Sequence, residues 1–264
     1  MSEPIYDRPA LYDVAFGFRD VAREGDALAR WTAARRGTDA PGRVLELGAG
    51  PADHALSFAA RGWHAEALDL APSMVAHARA HAARRGLPLM LHTGDMTNFA
   101  LGETYDLVLL MLTSASHLYT LDAMIAHLRC VAAHLAPRGT YVMEMTHPRD
   151  FVGRGARSTG VSAPWREEHD GLVVETTWGH ADDPYDPVTQ IFEAHVELRV
   201  TNERGTEIVR DVVRMRDWTA TEMEAAVRLA GGLRIAARHG DFDGGVPFDG
   251  SDPSWRMLLE IERA

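Results

Sequence analysis

Apolar residues recur along this chain with two different spacings, and the alternation between them predicts where strands and helices lie. Residues 43–48, RVLELG, form a short and nearly continuous apolar run, as expected of a strand buried on both faces of a parallel sheet. Residues 71–86 instead carry apolar side chains at helical spacing, with Pro72 near the start and Gly86 after the end. The same alternation predicts strands at 63–70, 88–95, 105–112 and 139–146, and helices at 52–62 and 121–137. Residues 40–148 are therefore expected to form a doubly wound α/β sheet.

After Phe151 the pattern becomes that of antiparallel strands. Segments 172–180, 189–201 and 206–218 are rich in branched and aromatic residues and are separated by turn-like sequences without helices. Thr219 then begins a predicted helix that ends at two glycines, and two closing strands are predicted at 233–240 and 254–264. We expect an antiparallel sheet at about 152–216, inserted into the α/β domain.

The loop after the first strand matches a dinucleotide-binding loop only in part. Residues 48–53, GAGPAD, place Asp53 where that fingerprint has its third glycine, and a carboxylate there would repel a pyrophosphate. Pro51 also removes a backbone donor that phosphate binding uses. The sequence therefore disfavours a nicotinamide or flavin cofactor.

A ligand with a positive charge and a ribose fits the acidic residues better. Glu46, Asp69 and Asp95 end three consecutive predicted strands, at the edge where open α/β sheets bind ligands. Gly48 and Gly50 allow the backbone to pass close to a ligand. Asp69 lies about 20 residues beyond the glycines, the spacing of an acid that accepts from ribose hydroxyls.

These motifs resemble those of a known enzyme family. The ELGAG segment at 46–50, Asp69, the Gly-Asp-Met step at 94–96 and the 105–118 strand and loop resemble the four cofactor motifs of class I S-adenosylmethionine-dependent methyltransferases. The resemblance covers about residues 40–148 and implies a mostly parallel seven-stranded Rossmann-like sheet with the antiparallel sheet inserted. It implies S-adenosylmethionine as cofactor, held by Tyr12, Glu46, Gly48, Ala49, Gly50, Asp69, Leu70, Met74, Asp95, Met96 and Met111.

By the same resemblance, residues 46–50 hold the methionine part, Asp69 takes the ribose hydroxyls, and Asp95 with Met96 meets the adenine. Leu70 and Met74 would pack on the other face of the adenine, and the backbone of Met111 would lie near the amino acid end of the cofactor. Simpler structural roles stay open for several of these residues. Glu46 could cap a loop, Asp69 could cap a helix, Asp95 could form an Asx turn and Met74 could belong to the core.

Two segments are candidates for chemistry. His117, in the loop 112–118, has an ordinary pKa near neutrality and could accept a substrate proton. This loop resembles that of N,N-dimethyltransferases acting on amino sugars, where a histidine faces the substrate. The stretch 6–18 resembles their lid, in which Tyr12 would approach the sulfonium, since an aromatic face attracts cations. A structural histidine, and aromatics that only anchor a helix, are the alternatives.

The resemblance places the inserted sheet over the substrate pocket, where its aromatic residues suit either that pocket or a subunit contact in a homodimer. The stretch HPRD at 147–150 departs from the sugar enzymes, so a sugar acceptor is not assumed. The expected substrate contacts are Phe16, His117, Glu144, Thr146, His147, Trp165 and Trp178.

The composition of the chain indicates which classes of binding partner are not expected. With 38 acidic against 27 basic residues and a formal charge of −11, the chain lacks the basic balance of a nucleic-acid-binding protein. No apolar run reaches the roughly 20 residues that span a bilayer, so no membrane partner and a cytosolic location are expected. The single cysteine, Cys130, is expected to be structural, and no metal site is expected. His77, His81 and His127 are expected on helix surfaces.

We expect a helical N-terminal lid at 1–39, a cofactor-binding domain at 40–151 and 217–264, and the inserted sheet at 152–216. The expected function is methyl transfer to nitrogen or oxygen of a small molecule, such as a natural-product intermediate or an amino sugar. The alternatives are an O- or C-methyltransferase with His117 as base, a nicotinamide-dependent oxidoreductase, and a cofactor-binding protein without turnover.

Overall fold

The computed structural model describes residues 4–152 and 163–264, which fall into two units. The larger unit comprises residues 20–148 and 218–264, and the smaller comprises residues up to 19 together with 149–217. Residues 153–162 of the predicted inserted sheet lie outside the described part of the chain.

The larger unit contains a seven-stranded sheet in the order β11-β12-β5-β4-β1-β2-β3. β1, β2, β3, β4 and β5 run parallel, while β12 pairs antiparallel with both β5 and β11. This confirms the predicted doubly wound, mostly parallel sheet. The strands are β1 Arg43–Leu47, β2 His64–Asp69, β3 Met90–Thr93, β4 Tyr105–Leu110, β5 Leu135–Thr146, β11 Leu233–His239 and β12 Arg256–Arg263.

Helices cover both faces of this sheet. The helices are α2 Val21–Arg36, α3 Asp53–Ala60, α4 Pro72–Arg85, α5 Leu121–His134 and α6 Ala220–Ala230. One apolar cluster joins α5 and α6 to the sheet, and a second joins α2, α3 and α4 to it. The central strands are buried between the two clusters, which explains their continuous apolar sequence.

One boundary differs from the sequence prediction. The α5 helix ends at His134, and β5 already begins at Leu135, whereas the pattern predicted a helix to residue 137 and a strand from 139. Pro137 accounts for the difference, since proline lacks the N–H that a continuing helix needs and clashes with the preceding turn.

The smaller unit contains the short helix α1 (Pro9–Ala15) and an antiparallel sheet. Its strands are β6 Trp165–His169, β7 Leu172–Trp178, β8 Tyr185–Asp186, β9 Ile191–Asn202 and β10 Gly205–Arg216. The order is β10-β9-β7-β6, with β8 paired to β9, which confirms an inserted antiparallel sheet and adds two strands that the pattern missed. Leu11, Val14 and Ala15 of α1 pack on the apolar face of this sheet.

The N-terminal region is divided between the two units. α1 belongs to the smaller unit, while α2, which the prediction grouped with the lid, belongs to the larger one. There, Ala27 and Leu28 of α2 are fully buried in the cluster with α3 and α4.

Candidate cofactor and catalytic site

Two glycines shape the loop that follows β1. Gly48 and Gly50 have φ values of 54° and 52°, in the left-handed region that glycine adopts without strain. A Cβ atom at Gly48 would lie only 3.2 Å from the Cβ atom of Ser114, so the loop also approaches the segment after β4 closely. The loop therefore requires glycine at this position for two physical reasons.

Asp69 ties this loop to the end of β2. Its Oδ2 accepts a hydrogen bond from the Gly50 N–H at 2.7 Å, and its Oδ1 accepts one from the Ala71 N–H at 2.8 Å. Burial raises the pKa of Asp69 above its usual range, the charge of Glu46 adds to the increase, and the backbone donors offset part of it. The N-cap residue of α4 is Ala71 and no side chain caps that helix, so the simple N-cap alternative for Asp69 is wrong. A carboxylate has about four acceptor positions, which leaves room for ribose hydroxyls.

The two apolar residues expected at the adenine differ in exposure. Leu70, next to Asp69, is 70% exposed, so its side chain is available to an apolar ligand. Met74 is only 1% exposed in α4. The core alternative for Met74 is therefore present, while its adenine contact stays a prediction.

Glu46 faces the protein interior. Its Oε2 accepts a hydrogen bond at 2.8 Å from the Ala55 N–H in the first turn of α3, and its Oε1 lies 3.3 Å from Nδ1 of His54. Ala52, the N-cap residue of α3, offers no side-chain cap, so Glu46 satisfies a donor of that turn. The capping role is thus present, while direct contact with the cofactor stays a prediction.

The loop after β3 contains an Asx turn, and its backbone is hydrogen-bonded to a buried histidine. Asp95 Oδ1 accepts from both the N–H and the hydroxyl of Thr97, each at 2.8 Å. The carbonyl of Met96 accepts from Nδ1 of His127 at 2.9 Å. The turn-forming alternative for Asp95 is therefore present, and adenine contacts at Asp95 and Met96 remain predictions.

His127 is not on a helix surface as expected. It is fully buried, its Nδ1 donates to the Met96 carbonyl, and its Nε2 accepts from the Tyr141 hydroxyl at 2.7 Å. Burial lowers the pKa of His127 to about 4, so the ring stays neutral. The signal was available, since His127 lies on the same apolar stripe of α5 as Met124 and Val131.

The segment after β4 carries the candidate base. Leu112 and Thr113 have positive φ values of 49° and 60°, and a 3₁₀ turn, Ser114–His117, follows. His117 is half-buried, and burial lowers its pKa below the ordinary histidine value. The ring is therefore neutral near pH 7 and able to accept a proton. Met111, whose backbone was expected near the cofactor, is buried, and its carbonyl accepts from the Ser114 N–H.

The end of β5 holds three residues that were expected to contact substrate. Both carboxylate oxygens of Glu144 face the interior, toward Arg256 and the Leu112 N–H. Nε2 of buried His147 donates to the Asp249 carbonyl at 3.0 Å, and its ring packs on Phe248. Both side chains therefore have partners within the protein, and substrate contact at Glu144 and His147 stays a prediction. The half-buried Thr146 keeps its predicted role untested.

The remaining predicted residues form an aromatic cluster in the smaller unit. The ring of Phe16 lies 4.5 Å from that of Tyr12, 5.8 Å from that of Trp165 and 5.6 Å from that of Trp178. Trp165 Nε1 donates to the Ala15 carbonyl at 2.6 Å, so the cluster anchors α1 on its sheet. All four rings keep partly exposed surface, and their roles at the cofactor and the substrate remain predictions.

Within residues 4–152 and 163–264, no group of three or more His, Cys, Asp or Glu side chains is arranged to hold a metal ion. In the same ranges, no helix has both the length and the apolar character needed to span a membrane. Cys130 is half-buried on α5 and its thiol lies 3.3 Å from the Thr97 carbonyl.

Comparison with known proteins agrees with this fold. A family profile described as a methyltransferase domain matches residues 44–139. The dTDP-3-amino-3,6-dideoxy-alpha-D-glucopyranose N,N-dimethyltransferase of Streptomyces fradiae is 31% identical over 174 residues, which span 63% of this chain and 66% of that protein. The cypemycin N-terminal methyltransferase of a Streptomyces species is 26% identical, with 100% of both chains covered.

A solved structure extends the likeness to the whole chain. The S-adenosylmethionine-bound CalS10, described as an amino pentose methyltransferase from Micromonospora echinaspora involved in calicheamicin biosynthesis, is 25% identical. It superposes with a TM-score of 0.71 over 98% of this chain and 98% of its own. The strand order, the family profile and these relatives agree, and the chain belongs to the class I S-adenosylmethionine-dependent methyltransferases.

Proposed function

We propose that this protein transfers a methyl group from S-adenosylmethionine to an amine nitrogen of a small molecule, such as an amino sugar or another natural-product intermediate. The name of the Streptomyces fradiae relative specifies N,N-dimethylation of an amino sugar, and the second relative is named an N-terminal methyltransferase, which is consistent with an amine acceptor. The CalS10 description names an amino pentose. An amine acceptor is the chemistry that these descriptions share.

The observation that carries the cofactor assignment is the pairing of Asp69 with an exposed leucine. Asp69 has both oxygens fixed by backbone donors and keeps free acceptor positions, while Leu70 beside it is exposed. This arrangement fits a nucleoside, with Asp69 holding the ribose hydroxyls and Leu70 packing on the base. The glycine loop, residues 48–50, adjoins Asp69 through the Gly50 N–H and would hold the methionine part.

The chemistry required of the protein is modest. The cofactor, when bound, supplies a methyl group on a positively charged sulfur. A neutral amine would attack that carbon with its lone pair and lose a proton as the new bond forms, while the electrons of the carbon–sulfur bond would return to sulfur. His117, kept neutral by burial, accepts this proton directly or through one water. Alignment of the amine and exclusion of water supply the rest of the rate.

A methylation assay with matched acceptors tests this function. The protein is incubated with S-adenosylmethionine and with amino sugars or short peptides that have free amines, and each is paired with an analogue that has a hydroxyl instead. We expect S-adenosylhomocysteine and the mass gain of a methyl group with the amines only. Methylation confined to the hydroxyl analogues would contradict the nitrogen assignment.

Oxygen is the second candidate acceptor, and the neutral His117 is the observation that favours it. A hydroxyl is a poor nucleophile until a base removes its proton, and a buried neutral imidazole can do this.

The remaining proposals are a cytoplasmic location and a homodimer, which fractionation of source cells and light scattering respectively would test.

A further inference from the structure

Five charged side chains form a buried network in the larger unit. Glu46 near the end of β1 and Glu144 near the end of β5 are joined by Glu24 of α2, His54 of α3 and Arg256 of β12. Each of the five is 9% exposed or less. Buried charges are costly unless they are paired, so these groups depend on one another.

The contacts form a continuous chain. Arg256 Nη1 donates to Glu144 Oε1 at 2.6 Å and to Glu24 Oε1 at 3.2 Å. The other oxygen of Glu24 lies 2.8 Å from His54 Nε2. His54 Nδ1 lies 3.3 Å from Glu46 Oε1. His54 therefore lies between two carboxylates, with Nε2 within hydrogen-bonding distance of Glu24 and Nδ1 close to Glu46.

The two ends of the network hold the two loops of the site. At one end, Glu46 Oε2 accepts from the Ala55 N–H, in the helix turn that follows the glycine loop. At the other end, Glu144 Oε2 accepts from the Leu112 N–H at 2.9 Å. Leu112 has a positive φ of 49°, a strained conformation for leucine that persists only when its surroundings hold it.

We propose that the network of Glu24, Glu46, His54, Glu144 and Arg256 couples the glycine loop to the 112–117 segment, with Glu144 and Arg256 as positioning residues. A change in the middle of the network, which touches neither loop, then alters both. The roles of the two loops in binding cofactor and acceptor rest on the proposed function, whereas the coupling between the loops can be measured without cofactor.

Hydrogen exchange of the Leu112 amide in the protein without ligand tests the coupling. Glu144→Gln has one accepting oxygen and one NH₂ group, so it cannot accept from both Leu112 and Arg256. Glu24→Gln changes the contacts with His54 and Arg256 in the middle of the chain and leaves the hydrogen bond from Leu112 to Glu144 in place. We expect both variants to raise the exchange rate of this amide at least about tenfold.

Glu262→Gln is the matched control. Glu262 is a buried carboxylate on the same strand as Arg256, and its ion pairs are with Arg35 and Arg234, outside the network. We expect its Leu112 exchange to equal that of the wild type. A similar increase in the control would show general destabilisation, and an increase in Glu144→Gln without one in Glu24→Gln would show a local bond only; either result overturns the coupling.

Two further measurements complete the test. If a Gln variant does not fold, Arg256→Lys, which keeps the charge on a single nitrogen, should still raise Leu112 exchange above that of the control. Titration with S-adenosylmethionine should give at least about fivefold weaker binding for Glu24→Gln, with Glu262→Gln unchanged. Absence of binding to the wild type would contradict the proposed function but would leave the exchange result standing.

Discussion

At the scale of single residues, we propose that Asp69 binds the cofactor and that His117 serves the methyl acceptor, and burial shifts the pKa of each toward the neutral form. The pKa of Asp69 is raised mainly by burial, yet backbone donors and a ligand with hydroxyls favour its ionised form. Burial alone lowers the pKa of His117 and keeps its ring neutral. Both groups can therefore be tested separately, one by binding and the other by rate.

Removing the Asp69 carboxylate should weaken cofactor binding. Asp69→Ala loses two charge-assisted hydrogen bonds to the ribose, at a cost of about 1.5 to 3 kcal/mol, as found for bonds to charged groups. Calorimetric titration with S-adenosylmethionine measures it directly. Wild-type affinity should also fall as the pH drops through the raised pKa, because the protonated acid accepts less well. Unchanged affinity in the variant would contradict the ribose assignment.

Removing the His117 imidazole should reduce the catalytic rate without weakening the binding of the cofactor. For His117→Ala we expect kcat to fall by about 100-fold, the lower range for loss of a general base, with the Kd for S-adenosylmethionine within about threefold. Since the pKa is lowered, the acidic limb of the wild-type pH–rate profile should lie below the ordinary histidine value of about 6.5. A purely structural histidine would instead lose stability and keep its specific rate.

At the scale of elements, α5 supports the loop at 96–101, which follows the residues predicted to meet the adenine, with side chains from one face. His127 holds the Met96 carbonyl, and Nε2 of His134, two turns further on, accepts from the Leu101 N–H at 3.0 Å. The Cys130 thiol lies between them along the helix and contacts the Thr97 carbonyl. The loop backbone at 96–101 is thus fixed by one helix, which suits a recognition loop that must not move.

Protonation of His127 should destabilise this element in acid. The pKa of His127 is about 4 in the folded protein and about 6.5 when unfolded, so above pH 6.5 both states are neutral and contribute no difference. Below pH 6.5 the unfolded chain binds the proton first, and stability falls down to about pH 4, by about 3 kcal/mol in total. Urea unfolding at pH 7 and pH 4.5 should show a smaller loss for His127→Asn than for the wild type. Equal losses would remove His127 as the cause.

Helices and strands could be predicted where burial produces a pattern of apolar residues in the sequence. Side-chain contacts between residues far apart in the sequence could not. The central strands are covered on both faces and therefore have continuous apolar sequence, whereas β6, WREEH, is mostly exposed and leaves no such pattern. Asp69 was recognisable because family motifs preserve its position relative to the glycines. The role of Glu144 depends on Arg256, 112 residues away in sequence, and no local pattern encodes that pairing.

At the scale of the whole molecule, we propose that the carboxyl edge of the seven-stranded sheet binds S-adenosylmethionine. The strand order, with β12 antiparallel, and the family membership support a methyltransferase fold. The loop with Pro51 and Asp53 is unfavourable for binding a pyrophosphate. This loop therefore distinguishes the protein from nicotinamide-dependent enzymes that have a similar sheet. Cofactor choice is therefore the property on which every residue role depends.

The most direct measurement is calorimetric titration of the wild-type protein with S-adenosylmethionine, S-adenosylhomocysteine and NAD under identical conditions. We expect binding of the first two in the micromolar range, about −8 kcal/mol, and none of NAD. Binding of NAD alone would contradict the assignment of the glycine loop and of Asp69.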